Sequence, residues 1–421
     1  MNYKVNELIY AAGDDMINSI RIEVLLTELI DPEALEIATG LAAKCFPYFS
    51  VKLERHGEEY IMTDNKQPMV VSPNGKAVKL GSAESRYHLF AVAYKDNIIY
   101  LDTSHYITDG VGSFPFLKTL IYYYLHTKHP EENFDTTGIA LVDREIPEEE
   151  ATDSPYPSEP LKAEPIGIRK KPENIFKLCD QPQGYENKDQ WISYNLNLKH
   201  EELLKYLSSF DGSPSSFFSS LVFRAITDIN PENELPVVCG VQHQFRKAIK
   251  APLSHMCHVN IAPIIYPAKL AGRSLDKLTI ISRGTVVIGA DTDNDVLTVN
   301  EHILNARRIK ALTLQEKHEY MKKVILNGIG ANTFEVSYTG KVPWNGLDKY
   351  IISVVPYLDL TLSGGLSVEL FSHKDGFNAN IMMRKNDPKY IDQICEILTE
   401  SKISYERKFP KHFELSTIAT P

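Results

Sequence analysis

The residues with the clearest capacity for chemistry lie in one short stretch, Leu101-Asp102-Thr103-Ser104-His105-Tyr106-Ile107-Thr108-Asp109-Gly110-Val111-Gly112. An imidazole titrates near neutral pH, so His105 can take a proton from an alcohol or amine as that group attacks a carbonyl. Asp109, four residues on, can anchor the turn by pairing with a cation, and Gly110 lets the chain bend without a Cβ clash. The same spacing also fits an ordinary strand-end histidine followed by an Asp-Gly turn, a common turn dipeptide.

The flanking elements decide what the stretch can do. His88 to Tyr94 is apolar and β-prone, Lys95-Asp96-Asn97 has turn chemistry, and Ile98 to Leu101 reads as a second strand. Ser113 to His126 has helical spacing, with Phe114, Leu117, Ile121 and Leu125 on one side. His105 is therefore predicted where a strand leaves a sheet, just before a glycine-bearing turn into a helix. Such a junction presents an imidazole to a cavity while the sheet holds its backbone rigid.

His105-Tyr106-Ile107-Thr108-Asp109-Gly110 resembles the HxxxDG signature of the chloramphenicol-acetyltransferase-like superfamily, which includes alcohol acetyltransferases, plant BAHD acyltransferases and condensation domains of peptide synthetases. Many condensation-type members carry two adjacent histidines, and the second is the base. Here Ser104 occupies the first position and His105 the second. The resemblance implies acyl transfer with His105 as general base, and the missing first histidine points away from peptide-synthetase condensation. Other segments fit the same family. Gln242-His243-Gln244-Phe245-Arg246 resembles the place where an arginine follows a buried strand; in several relatives it pairs with the motif aspartate, a role that falls to Arg246. Cys257 to Pro263 resembles the asparagine-bearing strand of condensation-type enzymes, with Asn260 at the asparagine. Phe334 to Val342 resembles a late strand of alcohol-acetyltransferase-like proteins, with Tyr338 where Asn is usual, and Ser337 or Thr339 could supply a hydroxyl to the tetrahedral oxyanion.

The chain as a whole bounds these readings. Its 421 residues are enough for two lobes with separate cores, and 43% hydrophobic with 24% charged residues is ordinary for a globular protein. A net charge of -10 argues against a nucleic-acid binder, which would show a basic face. No run approaches eighteen apolar residues and no signal-peptide core opens the chain, so no membrane span and a cytoplasmic location are expected. The five cysteines, at 45, 179, 239, 257 and 395, are scattered and read as thiols in a reducing compartment.

Local signals place the remaining elements. Ile20, Ile22 and Val24 alternate as in a strand, and Asp31-Pro32 reads as cap and first turn of a helix running towards Cys45 and stopped at Pro47. From about Lys128 to Gln190, prolines and the acidic run Glu148-Glu149-Glu150 indicate a linker or long crossover. Within it Arg169-Lys170-Lys171 could meet the phosphates of a coenzyme A donor, or simply be solvated. Trp191 to Leu198 reads as a strand, His200 to Phe210 and the segment after Ser213-Pro214 as helices, and Leu235 to Val241 as a buried strand. Asn300 to Leu326 reads as one helix, Ile351 to Tyr357, Gly365 to Ser372 and Gly376 to Met383 as strands, and Pro388 to Lys402 as a closing helix.

Two metal readings fail. Cys239, His243, His255, Cys257 and His258 match no zinc spacing, and neighbours on one strand point to opposite faces. Asp291, Asp293 and Asp295 mimic a calcium loop, but Val296 stands at the glycine position and His302 where the bidentate Glu belongs.

The expected architecture is α/β: two chloramphenicol-acetyltransferase-like lobes, each a mixed sheet with flanking helices, forming a central tunnel. The division in sequence is 1–145 for the N-terminal lobe, 146–190 for the linker or crossover and 191–421 for the C-terminal lobe. The expected site is His105, Asp109, Gly110, Arg246, Ser337 and Thr339, with no metal and no tightly bound cofactor. Its substrates would be an acyl-coenzyme A and a small-molecule alcohol or amine. Two alternatives stay open: a condensation-like enzyme that takes its acyl group from an acyl carrier protein, and a catalytically silent relative that only binds.

Overall fold

The hairpin predicted before His105 forms from Phe90–Lys95 and Ile98–Ser104, antiparallel and joined by the two-residue turn Asp96-Asn97, with Asp96 at φ +53°. The second strand runs three residues further than its apolar run suggests, because Asp102, Thr103 and Ser104 are all buried in the sheet. The computed structural model describes residues 2–3, 6–13, 16–151, 157, 159–167, 171–178, 191–328, 332–360, 364–373 and 376–421.

In chain order the strands are β1 (Asn2–Tyr3), β2 (Ser19–Leu26), β3 (Val51–His56), β4 (Glu59–Asp64), β5 (Val71–Ser72), β6 (Phe90–Lys95) and β7 (Ile98–Ser104), then β8 (Ile192–Lys199), β9 (Val237–Gln244), β10 (Val259–Tyr266), β11 (Phe334–Lys341), β12 (Ile351–Leu358), β13 (Leu366–His373), β14 (Gly376–Met383), β15 (Tyr405–Arg407) and β16 (Lys411–His412). The α-helices are α1 (Pro32–Cys45), α2 (Gly110–Lys128), α3 (His200–Ser208), α4 (Pro214–Ile229), α5 (Leu275–Gly289), α6 (Thr292–Ile309), α7 (Leu314–Gly328) and α8 (Pro388–Glu400).

Two mixed sheets dominate. One has the order β12-β2-β7-β6-β5, with a parallel β5–β6 edge; the other runs β10-β9-β11-β13-β14-β8-β15, with β11 parallel to both its neighbours and β16 also on β8. β1, β4 and β3 make a small third sheet. Each large sheet has its own core: Ile22, Val24, Leu101, Phe116 and Leu120 pack in one, and Leu196, Phe218, Leu221, Val368 and Ile381 in the other. Burial of such side chains, roughly 1.5–3 kcal/mol each, is the main force holding each lobe.

The sheets do not respect a division at residue 191. β12, expected in the C-terminal lobe, pairs antiparallel with β2 over Ile351–Leu358 and so completes the N-terminal sheet. The chain then returns at once to the other sheet through β13. Asn380 of β14 also donates to the Pro356 carbonyl at 2.7 Å, so the exchanged strand touches both sheets.

Local signals set most of the helices. Asp31 caps α1 by accepting from the Glu33 and Ala34 N–H groups, with Pro32 in the first turn, and Ser213 closes a capping box with Ser216 on α4. Asp291 caps α6, which gives that residue a structural task. The single helix expected over Asn300 to Leu326 is two, α6 and α7, broken at Lys310–Thr313, and α5 is a further helix that no sequence pattern marks. On α5, Ile280, Ile281, Val287 and Ile288 lie exposed, which blurs the one-sided apolar pattern that identifies a helix.

Candidate active site

Helix α2 begins three residues earlier than expected, at Gly110, because the Asp109 side chain caps it by accepting from the Gly112 N–H at 2.9 Å. The helix is buried almost all round, with Phe114, Phe116, Leu117, Leu120, Ile121 and Leu125 inside. The His105 turn is thus held between the end of a central strand and the start of a central helix. His105 is tied at its backbone, where its N–H donates to the Asn18 carbonyl at 2.9 Å.

The His105 ring is held through Nδ1. Its Nδ1 lies 3.0 Å from the Thr108 carbonyl oxygen, which can only accept, so Nδ1 carries the hydrogen and Nε2 carries the lone pair. Burial pushes the His105 pKa below the ordinary histidine value, against the opposing charge of Asp109. His105 borders two cavities. One, of about 640 Å³ counting the space at its mouth, is also lined by Gly110, Phe114, Ser337, Thr339 and Glu369. The other, of about 670 Å³ on the same measure, is lined by Asn18, Cys257, Glu335 and Asp359. Gln242, Val259 and Leu358 border both.

Asp109 does not bond the imidazole. Its Oδ1 accepts from Arg246 Nη2 at 2.9 Å and its Oδ2 from the His258 N–H at 2.9 Å, in addition to the Gly112 cap. Arg246 also donates from Nε to the Ser254 carbonyl at 2.7 Å and from Nη2 to the Met256 carbonyl at 2.8 Å. Burial raises the Asp109 carboxyl, but Arg246 and the two backbone donors outweigh it and hold the pKa below the usual carboxylate range. The structure therefore brings Asp109 and Arg246, 137 residues apart, into one buried ion pair.

Gly110 needs a different account from the one its turn chemistry suggests. It is the first helical residue, and a Cβ there would meet only the Thr339 side chain, at an ordinary 3.5 Å. The glycine that must lack a side chain is Gly112, whose Cβ would lie 1.9 Å from the His255 carbonyl oxygen. The Thr108 hydroxyl donates to that same carbonyl at 2.7 Å.

Ser337 and Thr339 both line the larger sheet's side of the His105 cavity. Thr339 lies in a bulge: Tyr338 pairs with Leu370 and Lys341 with Ser372, and Gly340 takes φ +92°. Bulges commonly re-aim side chains beside active sites. Asn260 is turned to structural work, donating to Asp295 at 2.9 Å. Ser104 is buried and lines neither cavity. Of the basic cluster, Arg169 and Lys170 lie outside the described residues; Lys171 is partly buried and interacts with the Glu335 charge.

Several residues at the site carry no sequence signal that singled them out for it. Cys257 places Sγ 3.5 Å from His105 Nδ1. Glu335 and Glu369, on adjacent strands β11 and β13, are 5% and 2% exposed and line the two cavities. Behind the turn, the Tyr48 hydroxyl lies 2.6 Å from His255 Nδ1 and 2.9 Å from Glu150 Oε2, and Arg144 holds Glu150 at 2.8 Å. This network ties the acidic run of the crossover to the segment carrying Arg246's carbonyl partners. These residues come from strands and loops far apart in sequence, and only the fold assembles them.

No protein-family profile and no curated relative matches the sequence. Solved structures do match its fold. F. graminearum TRI101, crystallised with coenzyme A and T-2 mycotoxin, superposes with a TM-score of 0.62 at 11% identity, covering 97% of this chain and 99% of that one. The condensation domain of the monacolin K polyketide synthase MokA gives 0.55 at 9% identity, over 95% and 97%. Polyketide synthase associated protein 5 from Mycobacterium tuberculosis gives 0.58 at 11% identity, over 94% and 96%. With its paired mixed sheets and flanking helices, the chain has the chloramphenicol-acetyltransferase-like fold.

Proposed function

We propose that the protein transfers an acyl group from a coenzyme A thioester to the hydroxyl or amine of a small molecule, with His105 as general base. The observation that carries this reading is the Nδ1 bond to the Thr108 carbonyl, which leaves Nε2 as the basic nitrogen of a ring bordering two cavities. Two cavities suit two substrates meeting at one imidazole. A coenzyme A complex of a protein with this fold supports the choice of donor.

In the reaction, Nε2 takes the acceptor proton as the acceptor oxygen or nitrogen bonds to the thioester carbonyl carbon. The carbonyl π electrons move onto oxygen, and a hydroxyl from Ser337 or Thr339 stabilises that charge. Collapse of the tetrahedral species breaks the carbon–sulfur bond, and the imidazolium returns its proton to the leaving thiolate. Asp109 and Arg246 hold the turn and take no proton.

The test is thiol release from acetyl- and longer acyl-coenzyme A, and from acylated carrier protein, against a panel of alcohols and amines. Release with free acyl-coenzyme A at micromolar-to-millimolar donor, the usual Michaelis range, is expected. Release with carrier-bound donor alone would replace this reading with the condensation-like one. Binding of substrates without release from any donor would favour a silent relative.

A further inference from the structure

The cavity at His105 contains a buried carboxyl that the mechanism above does not use. Glu369 of β13 stands opposite Ser337 of β11 in the parallel register, and both side chains line the cavity with His105. Ser367, opposite Glu335, places Oγ 3.5 Å from Glu369 Oε1. Among the described residues lining this cavity there is no lysine or arginine to neutralise a carboxylate.

The charged and titratable groups around Glu369 are Glu335 beside it on β11, itself pushed up to about 7 by burial with Lys171 acting against the shift, Tyr338 of the same strand, His105 and the Arg246-bound Asp109 from the turn, and His243 from β9, which is bonded to Asp295. β14 offers Asn380 at the register position, with its amide given to the Pro356 carbonyl, and β12 offers Pro356 and Leu358. In this setting burial pushes the Glu369 carboxyl up to about 8, and the Glu335 charge adds to it against the hydrogen bond with Ser337. Buried at 2% exposure in a cavity lined by no lysine or arginine among the described residues, the carboxyl is favoured in its neutral form.

We propose that neutral Glu369 donates its carboxyl hydrogen to Ser337 Oγ and thereby keeps the Ser337 hydroxyl hydrogen turned towards the oxyanion that forms beside His105. Glu369 is then a positioning residue, and the proposal rests on the acyl-transfer reading above. A hydroxyl has one hydrogen and two acceptor sites. If Glu369 donates, Ser337 is free to donate to the substrate. An ionised Glu369 can only accept, and it would draw the Ser337 hydrogen away from the reacting carbonyl. One proton on Glu369 thus sets the direction of the only hydrogen Ser337 has.

The experiment is a pH profile of thiol release with matched variants. In the wild type kcat should fall on the alkaline side as Glu369 ionises, by about 10²-fold, the scale of losing one oxyanion donor. Glu369→Gln, whose amide always donates, should keep turnover near wild type and flatten that limb. Glu335→Gln removes a neighbouring like charge, lowers the Glu369 pKa and should move the limb to lower pH. Ser337→Ala should lower kcat at neutral pH by about 10²-fold and lack the limb. The infrared difference between wild type and Glu369→Gln at pH 7 supplies a readout that needs no turnover: it should contain a protonated carboxyl band beyond that of Glu335, and that band should shift in Ser337→Ala. The same alkaline limb in Glu369→Gln, unchanged turnover in Ser337→Ala, or no such band in the wild type would each overturn the proposal while leaving acyl transfer standing. Absence of thiol release from every donor would overturn the acyl-transfer reading and this role with it.

Discussion

At the scale of the residue, the position of one hydrogen on His105 organises the proposed chemistry. The Thr108 carbonyl accepts from Nδ1, so the lone pair is on Nε2. Burial outweighs the Asp109 charge and lowers the ring's pKa, which favours the neutral imidazole that the proposed base role needs. The acid limb of kcat/KM should therefore lie below the ordinary histidine range, with activity lost as pH falls through it. His105→Ala should reduce thiol release by roughly 10²–10⁴-fold with the circular dichroism spectrum unchanged; unchanged turnover would remove His105 from the mechanism. The same tautomer bears on Cys257. Its thiol is 3.5 Å from the nitrogen that already holds a hydrogen, so His105 does not generate a thiolate there. Cys257→Ala should keep its turnover, and mass spectra of enzyme quenched during turnover should show no acyl adduct. A stoichiometric adduct on Cys257 would replace direct transfer with a two-step route.

At the scale of the element, the site depends on how β7 hands over to α2. The Asp109 cap and the approach of Gly112 to the His255 carbonyl fix that joint. Gly112→Ala would force a Cβ into a backbone oxygen, which cannot swing aside as a side chain can. It should destabilise by about 1–3 kcal/mol or more, as overpacking does, and lower turnover as well. Gly110→Ala, which meets Thr339 at 3.5 Å, should fold normally, and equal melting losses in the two variants would contradict this account. Elements set by short-range signals were legible in the sequence, as the Asp31-Pro32 start of α1 shows. The α2 boundary was not, because Gly110 and Gly112 read as breakers while the Asp109 side chain overrides them. α5 hid behind its exposed isoleucines and Val287. Alternation identified β12 as a strand, but its partner β2 lies over 300 residues away, and no local pattern encodes that choice. Glu335 and Glu369 were invisible as site residues for the same reason.

At the scale of the whole molecule, the two sheets are joined at the site itself. β12 passes from one sheet to the other, and the Asp109–Arg246 pair ties the start of α2 to the segment after β9. Both side chains are nearly inaccessible, at 2% and 3%, so neither can turn to water if its partner is lost. Removing one partner of such a pair should cost about 3–5 kcal/mol, far more than a surface pair. Asp109→Asn should therefore lower stability and turnover together, although the substituted amide would retain the shape of the cap. Arg246→Ala should reproduce much of that loss and also remove a donor from the Ser254 and Met256 carbonyls. In a double-mutant cycle read by chemical denaturation, the second substitution should add much less than it does alone, since the interaction is already gone. The pH dependence follows from the lowered Asp109 pKa. An ionised carboxylate is favoured by the native state, so this contribution is present above the unfolded aspartate pKa and disappears as pH falls through the lower native value. Asp109→Asn should flatten that part of the acid stability curve. Additive losses in the cycle, with an unchanged acid curve, would mean that the pair does not hold the two halves of the site together.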